Sequence, residues 1–301
     1  RRMILAVASG KGGTGKTTVS VNLAWVLGAP IQLLDCDVEE PNAHLFLQND
    51  ILPGSSNTKE IVTLPVPEVD ESLCDGCGEC GRFCEYNAIV SFGSKPLVFP
   101  DMCHGCGGCA LVCRPKAIHE KDHRIGLVET AQAGNITLIQ GRLDVGMPMA
   151  PPLIRAVKAR LRNGLPAILD APPGTSCPVI ATLRGADFAV LVTEPTPFGL
   201  HDLKLAVAMA REIALPFGVI VNRMGIGDGR IHAYCQEEDI PILLEIPDDR
   251  RIAEAYSQGK LIVEALPEYQ EMFQKLIETI ENRIRAGRLY AASTSGTKGQ
   301  S

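Results

Sequence analysis

Residues 10–17 fit G-x-x-x-x-G-K-[ST], directly after an apolar run and directly before a helical pattern. That is the context in which the motif cradles phosphate. Glycines let successive backbone N–H groups curl around phosphate oxygens, and the helix N-terminus adds positive potential. Gly12, Gly13, Thr14, Gly15 and Thr18 are therefore expected to surround the phosphates of ATP or ADP. Lys16 should reach the β- and γ-phosphates, and the Thr17 hydroxyl should ligate Mg²⁺. A second constellation lies further along. Eight of the 11 cysteines form two tight groups, Cys74, Cys77, Cys80, Cys84 and Cys103, Cys106, Cys109, Cys113. The stretch 74–89 recurs, shifted by 29 residues, as 103–118, with four cysteines, two glycines and an Ala-Ile pair aligned. The start of the chain carries no export signal, so these thiols read as metal ligands in a reducing, cytoplasmic compartment rather than as disulfides. Two Cys₄ zinc sites are the alternative, but zinc modules seldom show a doubled x₂, x₂, x₃ spacing.

The elements that must hold these groups follow from pattern. Short apolar runs bounded by Gly, Pro or charge predict buried strands at 3–8, 31–34, 136–139, 167–169, 188–192, 217–221 and 242–244. Helical patterns lie between several of them, at 16–27, 152–162 and 203–213. Strand–helix alternation of this kind predicts an α/β fold, a mostly parallel sheet with helices on both faces. The alternation stops at 65–124, which is rich in Cys, Gly and Pro. That stretch reads as an insert too poor in apolar surface to fold well without bound metal. The division expected is 1–64 and 125–287 for the nucleotide domain and 65–124 for the insert. A polar tail at 288–301 is expected to be disordered. Between 267 and that tail, Tyr269, Met272, Phe273, Leu276, Ile277, Ile280 and Ile284 share one helix face, which predicts packing on the core.

The loop at 11–18 resembles the deviant phosphate-binding loop of the MinD/ParA group of P-loop ATPases, which includes Mrp-type carriers and the nitrogenase iron protein. The resemblance covers most of the chain outside the insert. It implies that Lys11 reaches across a dimer to the partner's nucleotide and stabilises charge on the transferring phosphoryl group. It implies that Asp37 orients the attacking water and that Asp35 lies near the magnesium shell. In 168–174, Asp170 ends a buried strand, where a magnesium-bound water would satisfy its carboxylate. Gly174 offers a backbone N–H to the γ-phosphate. Asn222 and Arg223 follow a strand where the family reads the adenine edge. The cysteine-rich repeat is similar to bacterial two-cluster ferredoxins, in which three cysteines wrap one [4Fe–4S] cubane and the fourth ligates the other. That resemblance implies one cluster on Cys74, Cys77, Cys80 and Cys113, and another on Cys103, Cys106, Cys109 and Cys84. The proline that usually follows the fourth cysteine is missing after Cys84 and displaced to Pro115 after Cys113. The departure touches tuning of potential rather than ligation.

Composition narrows the function classes. Aromatic residues are 5% of the chain and charged residues 21%, with a net charge of −6. No global basic field favours nucleic acid or anionic lipid. No apolar run reaches the length of a membrane span. The expected activity is a Mg-dependent ATPase, slow without a partner. Its clusters would couple ATP-driven change or dimerisation to electron transfer. The expected partners are a second copy or a related ATPase, and a redox protein. The alternatives are an iron–sulfur cluster carrier, or a positioning ATPase of the MinD/ParA kind with structural or redox-sensing clusters.

Overall fold

The computed structural model describes residues 3–48, 57–93 and 95–296, with no side chains described beyond residue 287. In chain order the strands are β1 (Ile4–Ala8), β2 (Ile31–Asp35), β3 (Thr58–Val69), β4 (Ile89–Phe92), β5 (Lys95–Val98), β6 (Ile118–Ala133), β7 (Ile136–Leu143), β8 (Ala167–Asp170), β9 (Phe188–Thr193), β10 (Phe217–Met224) and β11 (Ile242–Pro247). The helices are α1 (Lys16–Leu27), α2 (His44–Leu47), α3 (Glu79–Phe83), α4 (Gly108–Val112), α5 (Ala150–Lys158), α6 (Cys177–Leu183), α7 (Pro197–Glu212), α8 (Arg230–Glu237), α9 (Arg250–Ser257), α10 (Ile262–Ala265) and α11 (Glu268–Gly296).

Nine strands form one sheet in the order β11-β10-β9-β1-β8-β2-β7-β6-β3. Pairing is parallel from β11 through β7 and antiparallel from β7 to β6 and from β6 to β3. The seven parallel strands are those the apolar runs predict. They read as unbroken apolar stretches because both faces are covered. One face buries Leu153 and Val157 of α5, Leu183 of α6, Val207 of α7 and Ile231 of α8. The other buries Leu23 of α1, Ile262 of α10, and Phe273 and Ile280 of α11. Each such side chain contributes about 1.5–3 kcal/mol on burial, so α11 is core, as its apolar face predicts. It runs on to Gly296, so residues 288–296, expected in a disordered tail, continue the helix instead; 297–301 lie outside the described residues. Helix α1 stops where Gly28 takes φ 62° and returns its N–H to Trp25 O, a left-handed position that favours glycine.

Strands β3 and β6 run through the expected boundaries at 64/65 and 124/125 without a break. The cysteine-rich segment therefore sits at the end of a two-stranded ribbon that extends the main sheet. Pairing steps between Val62–Gly126 and Thr63–Arg124, leaving Ile125 as the extra residue of a β-bulge. A bulge bends a strand and raises its twist, and this one falls where ribbon meets body. Pro65 and Pro67 are tolerated because β3 is the edge strand.

Beyond the ribbon the sequence repeat is a backbone repeat. α3 and α4 begin after Gly78 (φ 74°) and Gly107 (φ 69°), while Asn87 and Lys116 take φ 53° and 55°. The two short helices pack closely because Gly108 leaves room for the Phe83 ring, which any Cβ there would strike.

Candidate functional site

The C-terminal ends of the parallel strands converge on a cleft, the usual ligand position in such sheets. Gly12, Gly13, Gly15, Lys16, Thr17, Thr18, Asp37, Asn222 and Arg223 line it, as do Glu40, Asp248 and Asp249. Gly13 and Gly15 take φ 78° and 92°, which turns the loop's N–H groups inward. A Cβ on Gly15 would lie 2.5 Å from Asn222 Nδ2. Asn222 donates from Nδ2 to Thr14 O at 2.9 Å and accepts the Arg223 N–H on Oδ1 at 2.9 Å. It braces the phosphate loop and lines the cleft. Thr14 is buried, and its hydroxyl has no partner among the described residues.

Asp170 is fully buried at the end of β8, level with Asp35 on β2 and Val7 on β1. Ser20 donates its hydroxyl to Oδ1 at 3.0 Å, while Oδ2 has no partner within hydrogen-bond distance among the described residues. Burial raises the Asp170 pKa, with the Thr17 hydroxyl and then the Lys16 ammonium pulling it down. An orphaned carboxylate oxygen in a dry site is costly. A metal-bound water beside Thr17 is a donor that fits it.

Asp35 Oδ1 accepts the Asp37 N–H at 3.1 Å, and its Oδ2 accepts those of Asn42 and Ala43 at 2.9 and 3.0 Å. Burial, then the Asp170 charge, push its pKa well up. A carboxylate that accepts three backbone N–H bonds braces the loop after β2. Asp37 is the member of the pair that faces the cleft. Burial raises its pKa to about 6, against the opposing pull of Lys16.

Lys11 is not free. Its Nζ lies 3.1 Å from Glu194 Oε2, and Arg223 Nη1 lies 2.7 Å from Glu194 Oε1. Gly174, at φ 96°, donates its N–H to Ser9 O beneath the same loop. Sequence reasoning missed Ser20 and Glu194. Ser20 could have been found, since it lies four residues after Lys16 on the helix face turned to the sheet. Glu194 heads the stretch 194–202, which resembles MinD-like ATPases with ferredoxin inserts, but that resemblance gives no single residue a role; only its position at the end of β9, between β1 and β10, does.

Two cavities occupy the end of the ribbon. One is lined by Cys74, Cys77, Cys80 and Cys113, the other by Cys84, Cys103, Cys106 and Cys109. Each thus joins three cysteines of one repeat to the fourth of the other. Gly105 N–H points at Cys103 Sγ at 3.4 Å, and Ala117 N–H at Cys113 Sγ at 3.3 Å. Burial raises the Cys103 thiol, and raises Cys109 to about 11. His104 also lines the second cavity, stacked on Tyr86 with ring centroids 3.5 Å apart. Among the described residues no three His, Cys, Asp or Glu converge tightly enough for a single metal ion. Cys36 and Cys235 are buried and Cys177 is exposed. No described helix is long and apolar enough to cross a membrane.

Comparison with known proteins fits this geometry. An uncharacterised protein of Methanocaldococcus jannaschii is 31% identical over 291 residues, 94% of this chain and 97% of the relative. A second from the same organism is 29% identical over 286 residues, 94% of this chain and 98% of that relative. The iron–sulfur cluster carrier protein of Aquifex aeolicus is 25% identical over 93% of this chain and 69% of its own length. Among solved structures, the septum site-determining protein MinD of Pyrococcus horikoshii, complexed with Mg-ADP, superposes with a TM-score of 0.58. It is 22% identical and is covered over 96% of its length by 93% of this chain. The CobQ/CobB/MinD/ParA nucleotide binding domain matches residues 5–262, and the chain belongs to that family.

Proposed function

We propose that this chain is a MinD-like ATPase carrying two [4Fe–4S] clusters, in which ATP-driven dimerisation or conformational change is coupled to electron transfer. The observation that carries the reading is the exchange of the fourth cysteine between repeats in both cavities. Four thiols spread around a cavity suit a cubane better than a point ion such as zinc. Bound there, the clusters would supply one-electron chemistry. The chain's own part is to hold them with eight thiols, with the Gly105 and Ala117 N–H groups directed at sulfur.

In the nucleotide cleft, the loop from Gly12 to Thr18 binds the phosphates of ATP. Lys16 neutralises their charge, and Thr17 and Asp170 serve the Mg²⁺ shell. Asp37 orients the attacking water, and the spare amide N–H of Asn222 meets the base. Lys11 acts on the nucleotide of a partner subunit, either a second copy or a related ATPase. The occurrence of two full-length relatives in one organism accommodates both pairings. A redox protein is the further partner, nucleic acid is not, and a cytoplasmic location suits reduced thiols.

The second reading is an iron–sulfur cluster carrier, favoured by relatives of that name. One experiment separates the two. Iron and sulfide are assayed anaerobically, and EPR spectra are recorded with ADP, with a non-hydrolysable ATP analogue, and with an apo-acceptor added. The proposal expects about eight irons per chain, retained beside the acceptor, and a spectrum that depends on nucleotide. Rapid loss of iron to the acceptor would favour the carrier, and zinc in place of iron would overturn both.

A further inference from the structure

Glu194 occupies an unusual place. It follows β9, the strand between β1, which leads to the phosphate loop, and β10, which carries Asn222 and Arg223 near its end. Its side chain is only 8% exposed, yet each carboxylate oxygen meets a different cation, Lys11 and Arg223. The turn that carries it is fixed. Thr196 accepts the Gly199 N–H at 3.0 Å, and Thr193 donates its hydroxyl to Gly199 O at 3.0 Å. A side chain on Gly199 would strike Glu194 O itself. On the other flank, Arg223 holds φ 56° where the pairing of β10 with β11 shifts, a backbone costly for a non-glycine residue. Asn222 ties that corner back to Thr14 O. Rigid supports on both sides thus aim one buried carboxylate at Lys11.

We propose that Glu194 is a positioning residue for Lys11, a latch that keeps the lysine within its own subunit until a nucleotide-loaded partner docks. The inference rests on the reading of Lys11 as a residue that acts across a dimer. A lysine tied to Glu194 at 3.1 Å does not reach a neighbour's phosphates. Handing it over replaces one carboxylate by phosphate oxygens of higher charge density. Arg223 makes the exchange possible, because it stays on the other oxygen and prevents a buried carboxylate from being left bare, the costly outcome when one member of a buried pair departs. Lys11 is 32% exposed in its side chain, so its release needs no unfolding.

The test uses the full chain with its clusters intact. Glu194→Gln keeps the shape and removes the charge. The first readout is labelling of Lys11 by an amine-reactive ester without nucleotide, followed by mass spectrometry. The second is sedimentation across a range of protein concentrations with a non-hydrolysable ATP analogue. Loss of one partly exposed ion pair should speed Lys11 labelling roughly two- to fivefold and tighten the dimer by a similar factor. Unchanged labelling, or a weaker dimer, overturns the latch. A melting temperature lowered without faster labelling marks a merely structural role and overturns it equally. Lys11→Ala separates the two layers of inference. If that variant dimerises and hydrolyses like the unsubstituted chain, the dimer reading fails and the latch with it. If it is impaired while Glu194→Gln labels and dimerises normally, only the latch fails.

Discussion

Asp35, the last residue of β2, and Asp37, in the loop that follows, lie two positions apart, and their surroundings give them different chemistry. Asp35 is closed in by three backbone N–H donors. Asp37 faces the cleft, with burial holding its pKa near 6, well above the ordinary carboxylate range. A water-orienting carboxylate works ionised, so hydrolysis should fall as pH drops through about 6, where an unperturbed aspartate would hold out to about 4. The sign for stability is opposite. Folding raises this pKa, so protonation favours the fold. That contribution is present below the unfolded value and lost as pH rises through the folded one. A pH–rate profile should therefore lose activity over that window with no drop in melting temperature due to Asp37. Asp37→Asn should lower kcat at least about a hundredfold while equilibrium dialysis still finds Mg-ATP bound. A profile flat to pH 4 would move the role elsewhere. From sequence, the pair was legible as a pair. The resemblance already gave the two different roles, but the enclosure of Asp35 was not legible, because it depends on Asn42 and Ala43 folding back onto it.

Among the elements, the parallel strands were legible because burial on both faces writes each as one apolar run, as in β9, where all six residues are buried. β3 and β6 were not. Their outer halves form a ribbon that carries charged pairs such as Lys121–Glu68 and prolines at 65 and 67. Such a stretch has neither a strand's alternation nor a helix's period. The cysteine repeat was the opposite case. The resemblance to two-cluster ferredoxins implies the partition of ligands, and the backbone carries the sequence repeat through α3 and α4. The exchange of fourth cysteines makes the two halves interdependent in a specific way. Cys113→Ser should strip the cluster held with Cys74, Cys77 and Cys80 and leave its neighbour largely loaded. Iron analysis should then fall from about eight toward about four per chain, with one EPR-active species remaining. Cys84→Ser should remove the other species. If both substitutions deplete the same signal, the cross-repeat assignment is wrong.

At the scale of the molecule, the loop beside the nucleotide cleft is hydrogen-bonded to the base of the ribbon that carries the cysteine cavities. Val38, next to Asp37, accepts the Leu143 N–H at 2.8 Å at the end of β7. Asp144, the next residue, donates its N–H to Ile125 O at 2.9 Å, at the bulge where the ribbon leaves the body. The Asp144 carboxylate takes two bonds from Arg124, at 2.7 and 3.1 Å. The loop beneath Asp37 is tight as well, since a Cβ on Gly141 would lie 2.5 Å from Val38. If nucleotide binding shifts the Asp37 loop, as the proposed coupling requires, these contacts offer a path to β7 and to the base of the ribbon. Coupling requires nucleotide to favour one ribbon geometry over another, and the Arg124–Asp144 pair is where that preference can be weakened without harming either site. The pair is partly exposed, so its loss should cost about 1 kcal/mol of stability or less. Arg124→Ala should leave hydrolysis and iron content intact, yet shrink the difference between EPR spectra recorded with ADP and with a non-hydrolysable ATP analogue. A difference as large as in the unsubstituted chain would mean that the bulge carries no part of the coupling.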